Sequence, residues 1–168
     1  MQIKSYFLIL ATAILLFSCQ QGKEEIAKIQ QLENQMKEKL QQAAKGASVM
    51  PDTSVCTSLA MAYEQFNQNF SSSDSCPVYW MRAGELYFNC LNAPSRALYC
   101  FETVYQKYPS SPDAAPALFT TAYISANVLN DTKRAAALYA EFMQKYPTHE
   151  LFPSAEIEFK NLGKLEVQ

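Results

Sequence analysis

The chain has 168 residues, of which 49% are hydrophobic and 18% charged, and its formal net charge is −2. This length leaves room for one domain. A sequence pI of about 5.4 and the absence of a basic stripe exclude the usual nucleic-acid-binding classes, whose domains are strongly basic.

Residues 1–18 have the pattern of a signal peptide. Lys4 supplies the positive end, and residues 6–17 are almost wholly apolar. This apolar run is too short to cross a bilayer comfortably. The sequence therefore predicts a targeting segment that is removed, with a retained N-terminal anchor helix as the alternative.

The segment Leu16-Phe17-Ser18-Cys19 resembles the lipobox of bacterial lipoproteins. An apolar residue lies three positions before the cysteine, and a small residue lies directly before it. The resemblance implies that Cys19 receives a diacylglyceryl thioether and, as the new N-terminus, an acyl chain such as palmitate. Several fatty chains anchor a protein stably without a transmembrane helix. Residues 19–22 would then form a short lipidated tether.

Residues 23–46 are predicted to form an amphipathic helix or stalk. The segment is rich in Glu, Gln, Lys and Leu, and it has no glycine or proline before Gly46. A narrow apolar stripe recurs at helical spacing. Its members are Ile26, Ile29, Leu32, Met36, Leu40 and Ala43. Such a stripe suits packing within the chain or a coiled-coil seam between copies. The opening Lys23-Glu24-Glu25 resembles the export signal of some Bacteroidetes surface lipoproteins, or simply begins a charged helix.

One pattern occurs twice, 38 residues apart, in the second half of the chain. The first copy consists of Trp80, Ala83, Gly84, Tyr87, Ala97, Phe101, Val104 and Pro109. The second copy consists of Leu118, Thr121, Ala122, Ser125, Ala135, Tyr139, Phe142 and Pro147. A fixed period of this size indicates an array of helical repeats.

The repeats predict two helix pairs and the remains of a third. The four helices of the clear repeats are expected at about 77–91, 95–108, 113–129 and 132–146. Residues 54–70 echo the second helix of a repeat, and residues 23–45 are a candidate for its missing first helix. They would together form a degenerate first repeat.

A last helix at 152–162 is predicted to cap the array, because terminal repeats need a solubilising outer face. Gly163 is expected to end this helix. The helical domain would then span residues 54–163, and residues 164–168 would form a tail.

The repeated positions resemble the tetratricopeptide repeat (TPR). Gly84 and Ala122 match the family's small position, where the two helices of a pair cross closely. The period of 38 is longer than the family's 34, and Thr121 and Ser125 replace the apolar and aromatic residues expected there. The resemblance implies an all-α fold, with antiparallel helix pairs wound into a right-handed superhelix behind an N-terminal amphipathic helix.

Residues 146–150 and 161–164 look similar to small Bacteroidetes TPR lipoproteins of the cell envelope. This resemblance implies a membrane-anchored adaptor or scaffold on the outer membrane, facing the periplasm or the cell surface. Its partner would be another envelope protein or a peptide segment. The alternative is an oligomeric spacer in which residues 23–46 self-associate as a coiled coil.

In TPR arrays the first helix of each pair lines a concave groove. The family's groove positions fall here on Met81, Glu85, Phe88, Asn89, Phe119, Tyr123 and Asn127. None is Lys or Arg, so a clamp for a partner's carboxylate is not expected. The recurring asparagine is suited to holding the backbone of a bound segment. Alternatively, the aromatic members are core residues or are covered by the helix at 23–45.

Four cysteines follow Cys19. They are Cys56, Cys76, Cys90 and Cys100. Disulfides form in exported proteins, and an antiparallel array puts Cys56, at the start of one helix, at the same end as Cys90, at the close of the next. This pair is the disulfide that the topology permits, with four buried thiols as the alternative.

The sequence contains no recognisable catalytic or metal-binding motif. It has no Cys-x-x-Cys spacing, and its one histidine, His149, is expected to be solvated in a loop. We therefore predict that the chain is not an enzyme and binds no metal, no cofactor, no small-molecule substrate and no nucleic acid.

Overall fold

The computed structural model describes residues 2–45 and 53–165. Within these ranges the chain forms seven α-helices. They are α1 (Gln2–Ala44), α2 (Thr53–Asn69), α3 (Cys76–Asn89), α4 (Pro94–Lys107), α5 (Ala114–Asn127), α6 (Thr132–Lys145) and α7 (Phe152–Leu165). The predicted all-α array of helix pairs is confirmed. Gly46 and residues 166–168, which end two of the predicted segments, lie outside the described residues. The helices fall into two compact units, which meet between Ser73 and Asp74 in the sequence.

In the first unit, α1 and α2 form an antiparallel pair. The Tyr63 hydroxyl donates to Glu33 Oε1 at 2.6 Å, and Asn69 Nδ2 donates to Glu25 Oε1 at 2.7 Å. Contacting positions rise along α2 as they fall along α1, which is the antiparallel arrangement. Ile29, in the apolar stripe, is 1% exposed. The stripe therefore packs within the chain over this stretch, and the assignment of α1 as the first helix of a degenerate repeat stays a prediction.

Residues 19–22, expected as a tether, are helical because α1 runs continuously from Gln2. Glutamine is a good helix former, and Gln20 Nε2 donates to Glu24 Oε1, one turn later, at 3.1 Å. At Gly22, an added Cβ would lie 3.4 Å from the Phe70 ring, so α1 already packs against the end of α2 there. In the described ranges, no helix has a stretch both long and apolar enough to span a membrane.

In the second unit, each helix from α3 to α7 packs on the next. The core contains large side chains from both repeats, all 5% exposed or less. They include Trp80, Tyr87, Phe101, Leu118, Tyr139 and Phe142. Proline lies in the first turn of α3 and of α4, where the helix needs no donor from that nitrogen. The repeated sequence positions are therefore the positions that join the helices of each pair.

The 38-residue period is repeated in the backbone of the turns within each pair. Asn92 and Asn130 both adopt the left-handed conformation, with φ of 48° and 56°, which asparagine tolerates better than most residues. Asp131 then caps α6, because its carboxylate accepts the Arg134 N–H at 3.0 Å. In both pairs, the first helix is thus joined to the second by a turn with the same left-handed backbone.

The same period continues into α7. Three equivalent bonds, each from the backbone N–H of one residue to a carbonyl oxygen four residues earlier, open the three helices. They are Tyr79 to Ser75, Ala117 to Asp113 and Ala155 to Leu151. We conclude that α7 is the first helix of a third repeat, in addition to covering the end of the second. The predicted end at Gly163 is wrong, since α7 continues to Leu165 and no atom lies near that glycine to force a turn.

The two unusual hydroxyl residues of α5 fit the repeat without distorting it. Thr121 Oγ1 donates to the Ala117 carbonyl, and Ser125 Oγ donates to the Thr121 carbonyl, both at 2.8 Å. Because each hydroxyl is satisfied inside its own helix, both side chains are fully buried. They take the places of Ala83 and Tyr87, so the register predicted for α5 is correct.

Candidate partner-binding groove

The predicted groove residues lie on the first helices of the two repeats, α3 and α5. None of the seven is fully buried. Met81, Phe88 and Phe119 are half-buried, and Glu85, Asn89, Tyr123 and Asn127 are exposed. Phe88 and Phe119 are thus partly packed into the core, whereas Tyr123 is an exposed aromatic residue. Tyr123 is the clearest case, with 41% of its surface exposed.

Phe119 connects the groove to the core. Its ring packs edge-on against Tyr139 at 5.7 Å and against Phe142 at 5.8 Å, measured between ring centroids. Edge-to-face pairs at this distance are favourable. Phe119 is thus held rigidly from beneath while part of its ring remains open to solvent.

The third repeat helix adds to the same surface. Ile157 and Asn161 follow Phe119 and Tyr123 by one period, so they occupy the equivalent positions on α7. Ile157 is 57% exposed, more than most large apolar side chains in the second unit. Sequence reasoning missed this part of the groove because it treated the last helix only as a cap. The continuing 38-residue period was the signal that could have revealed it.

The charged residues beside the groove are mainly acidic. Partial burial raises the pKa of Glu85 above its ordinary value, the Arg82 guanidinium opposes that rise, and the negative charge of Asp113 adds to it. On α7, Glu158 lies next to Ile157 in the sequence and is close enough to act electrostatically on Tyr139. Glu85 on α3 and Glu158 on α7 therefore each place a carboxylate within one helical turn of an apolar groove residue.

A buried polar atom lies beneath the α5 and α7 part of the groove. The Tyr139 hydroxyl is buried and has no hydrogen-bond partner among the described residues. Burial raises the pKa of Tyr139, and the nearby Glu158 and Tyr123 raise it further. The equivalent residue of the first repeat is Phe101, which has no hydroxyl. An unpartnered buried donor is costly, so this hydroxyl is a departure from the repeat that core packing does not explain.

Two segments of the chain, 79–111 and 116–149, match the family model of the tetratricopeptide repeat. TPR repeats are thus detected in these two segments. Neither the curated proteins nor the solved structures include a significant match to it. TPRs are typically non-catalytic units that use an extended concave surface to bind other proteins. Helix α7 lies outside both matched segments, so its assignment as the first helix of a further repeat rests on the equivalent hydrogen bonds that open α3, α5 and α7.

One of the two groove asparagines already makes a hydrogen bond within its own helix. Asn127 Nδ2 donates to the Tyr123 carbonyl at 3.1 Å, within the same helix. One N–H of the Asn127 amide is therefore engaged, and the second N–H and the Oδ1 atom are left to meet a bound segment. Asn89, one period earlier, is exposed on α3.

His149 is more enclosed than a solvated loop residue, which corrects the sequence-based expectation. Its Nδ1 accepts the Leu151 N–H at 3.1 Å, and its ring lies edge-on to Phe142 at 5.8 Å. His149 thus helps to fix the start of α7. Within the described ranges, no three His, Cys, Asp or Glu side chains lie together in a way that could hold a metal ion.

The disulfide between Cys56 and Cys90 stays a prediction. Cys76 and Cys100 are buried and not part of a disulfide, which leaves Cys56 and Cys90 as the remaining pair after Cys19. We expect mass spectrometry of the unreduced protein after thiol alkylation to find two alkylated cysteines in the core and one Cys56–Cys90 cross-linked peptide. Alkylation of all four core cysteines without reduction would contradict the bridge.

Proposed function

We propose that this protein is a non-catalytic, lipid-anchored adaptor of the bacterial cell envelope that docks a partner protein through the groove of α3, α5 and α7. The observation that carries the proposal is the exposure of apolar side chains at groove positions of these helices. Ile157 and Tyr123 are 57% and 41% exposed, and Phe119 lies between α6 and solvent. Apolar side chains grouped in this way mark interaction sites more often than single exposed residues do.

The proposed anchor is Cys19, through the lipobox-like residues before it. An outer-membrane position, facing the periplasm or the cell surface, follows from the lipoprotein pattern and is part of the same proposal. Cys19→Ala is expected to abolish metabolic labelling with palmitate and to move the protein out of the membrane fraction, because none of the other four cysteines follows lipobox-like residues. Labelling that persists in Cys19→Ala would exclude this anchor.

The groove is best tested with a pair of exposed tyrosines. Tyr123 lies in the groove, whereas Tyr99 lies on α4 and is 57% exposed. In cross-linked capture from the source membrane, we expect Tyr123→Ala to lose a specific partner that Tyr99→Ala retains. Phe119→Ala is a less selective variant, because it also removes the edge contacts with Tyr139 and Phe142. An identical partner set for the two tyrosine variants would contradict the groove.

The adaptor proposal also predicts a monomer. Much of the α1 stripe is used against α2, as the burial of Ile29 shows, and Leu40 is the member of the stripe that is largely exposed, at 57%. Size-exclusion chromatography with light scattering on protein that begins after Cys19 should give the mass of one chain. A stable dimer that Leu40→Glu dissociates would favour the oligomeric spacer instead.

A further inference from the structure

We infer that the groove of α3, α5 and α7 selects a partner segment in which a basic residue adjoins an aliphatic or aromatic residue. This inference rests on the proposed function and adds the chemistry of the partner to it. Three independent features of the groove support it, namely its apolar row, its charge and its buried hydroxyl.

The apolar row consists of equivalent residues on the three helices. Met81, Phe119 and Ile157 follow one another by one period, so they occupy the same position on α3, α5 and α7. Tyr123 adds an exposed aromatic ring one turn after Phe119. A row of this kind can cover an aliphatic or aromatic side chain of a bound segment and remove it from water.

The charge beside this row favours a cation. Glu85 is an exposed carboxylate one turn after Met81 on the groove face of α3, and of the two charges that act on it, that of Arg82 has a larger effect than that of Asp113. Glu158 places a further carboxylate beside Ile157 on α7. A lysine or arginine of the partner would pair with Glu85 or Glu158, whereas an acidic segment would be repelled by them. Complementarity of charge therefore discriminates between partners of similar hydrophobicity.

The Tyr139 hydroxyl offers one further contact. It is buried without a partner among the described residues, close to both Tyr123 and Glu158. A backbone carbonyl of a bound segment that enters between these side chains would accept a hydrogen bond from the Tyr139 hydroxyl. The hydroxyl would then be satisfied only in the complex, which explains why this position differs from Phe101 in the first repeat.

The test compares peptides that differ only in charge. The protein is purified in a non-ionic detergent and titrated with short synthetic peptides that share the same Leu and Phe residues and carry Lys, Gln or Glu between them. We expect the Lys peptide to bind at least about tenfold more tightly than the Glu peptide, equivalent to roughly 1.4 kcal/mol. This preference should shrink as salt is raised, because screening weakens exposed charge pairs.

Matched variants locate the selectivity. Glu158→Gln should weaken binding of the Lys peptide about threefold to tenfold, and Glu85→Gln should act in the same direction. Glu156→Gln is the control on the same helix, because Glu156 pairs with Lys160 at 2.9 Å on an exposed part of α7. Tyr139→Phe should raise the melting temperature of the free protein and yet weaken binding of the peptide. If the hydroxyl had a purely structural role, the substitution would change the melting temperature and leave the affinity for the peptide unchanged.

The outcomes separate this inference from the proposed function. If the Glu peptide binds as tightly as the Lys peptide, or if Glu158→Gln and Glu156→Gln behave alike, the inference is wrong and the adaptor proposal still holds. If no peptide binds although Tyr123→Ala loses its captured partner, the inference is also wrong. If no peptide binds and Tyr123→Ala retains every partner, the proposed function fails as well.

Discussion

Phe142→Ala is expected to lower the free energy of unfolding by about 3–5 kcal/mol, the usual cost of emptying a large aromatic site in a core. Phe142 is fully buried. Its ring contacts Phe119 at 5.8 Å, Tyr146 at 5.4 Å and His149 at 5.8 Å. These neighbours come from α5, from the end of α6 and from the segment before α7. The variant should therefore loosen the junction between the second repeat and the third helix.

The measurement is urea denaturation followed by circular dichroism at equilibrium. Phe159→Ala is the matched control, because Phe159 is also a phenylalanine but is 38% exposed on α7. It should cost less than about 1 kcal/mol, since it loses less buried surface. Similar losses in the two variants would mean that the Phe142 site collapses around the smaller side chain.

The fold could be predicted largely from the sequence because the same small and large core positions occur in both repeats. Gly84 and Ala97, with their equivalents one period later, mark where two helices cross, and their small size has no other use in a helix. The limits of α2 to α6 were predicted to within about two residues, an accuracy typical of such assignments, whereas α1 begins far earlier than residue 23 and α7 ends at Leu165 instead of residue 162. The turns could not be predicted in detail. The left-handed backbone at Asn92 depends on asparagine tolerating a conformation that the pattern alone does not require.

The candidate site was predicted only in part. Positions such as Tyr123 follow from the register of α5, and the structure exposes them. The contribution of α7 was missed because Glu156 and Lys160 look like the polar face of a cap, and they do form an exposed ion pair. The enclosure of His149 also escaped prediction, because it depends on rings brought together by tertiary packing. Sequence spacing describes one helix at a time, and these features involve several.

Gly84→Ala and Gly163→Ala are expected to change stability in opposite directions. An added Cβ at Gly84 would lie 2.6 Å from one Phe101 ring atom and 2.8 Å from another, well inside normal contact. Phe101 is 1% exposed, so its ring has little room to move. Overpacking costs about 1–3 kcal/mol, and the higher helix propensity of alanine returns up to about 1 kcal/mol. We expect a net loss of about 1–2 kcal/mol for Gly84→Ala.

Gly163→Ala isolates the contribution of helix propensity to the free energy of unfolding. No atom lies within 4 Å of the Cβ position at Gly163, and α7 continues past it to Leu165. The variant should therefore gain up to about 1 kcal/mol, less any fraying of the last turn. Urea midpoints with an unchanged slope would measure both effects.

The second repeat makes the outcome of Gly84→Ala informative, because Ala122 occupies the position of Gly84 and packs in a pair whose second helix carries Tyr139. A neutral Gly84→Ala would show that α3 and α4 can relax to the spacing of α5 and α6. A clear loss would show that the two repeats keep different interhelical distances, with the first pair fixed by Phe101 against the bare backbone of Gly84.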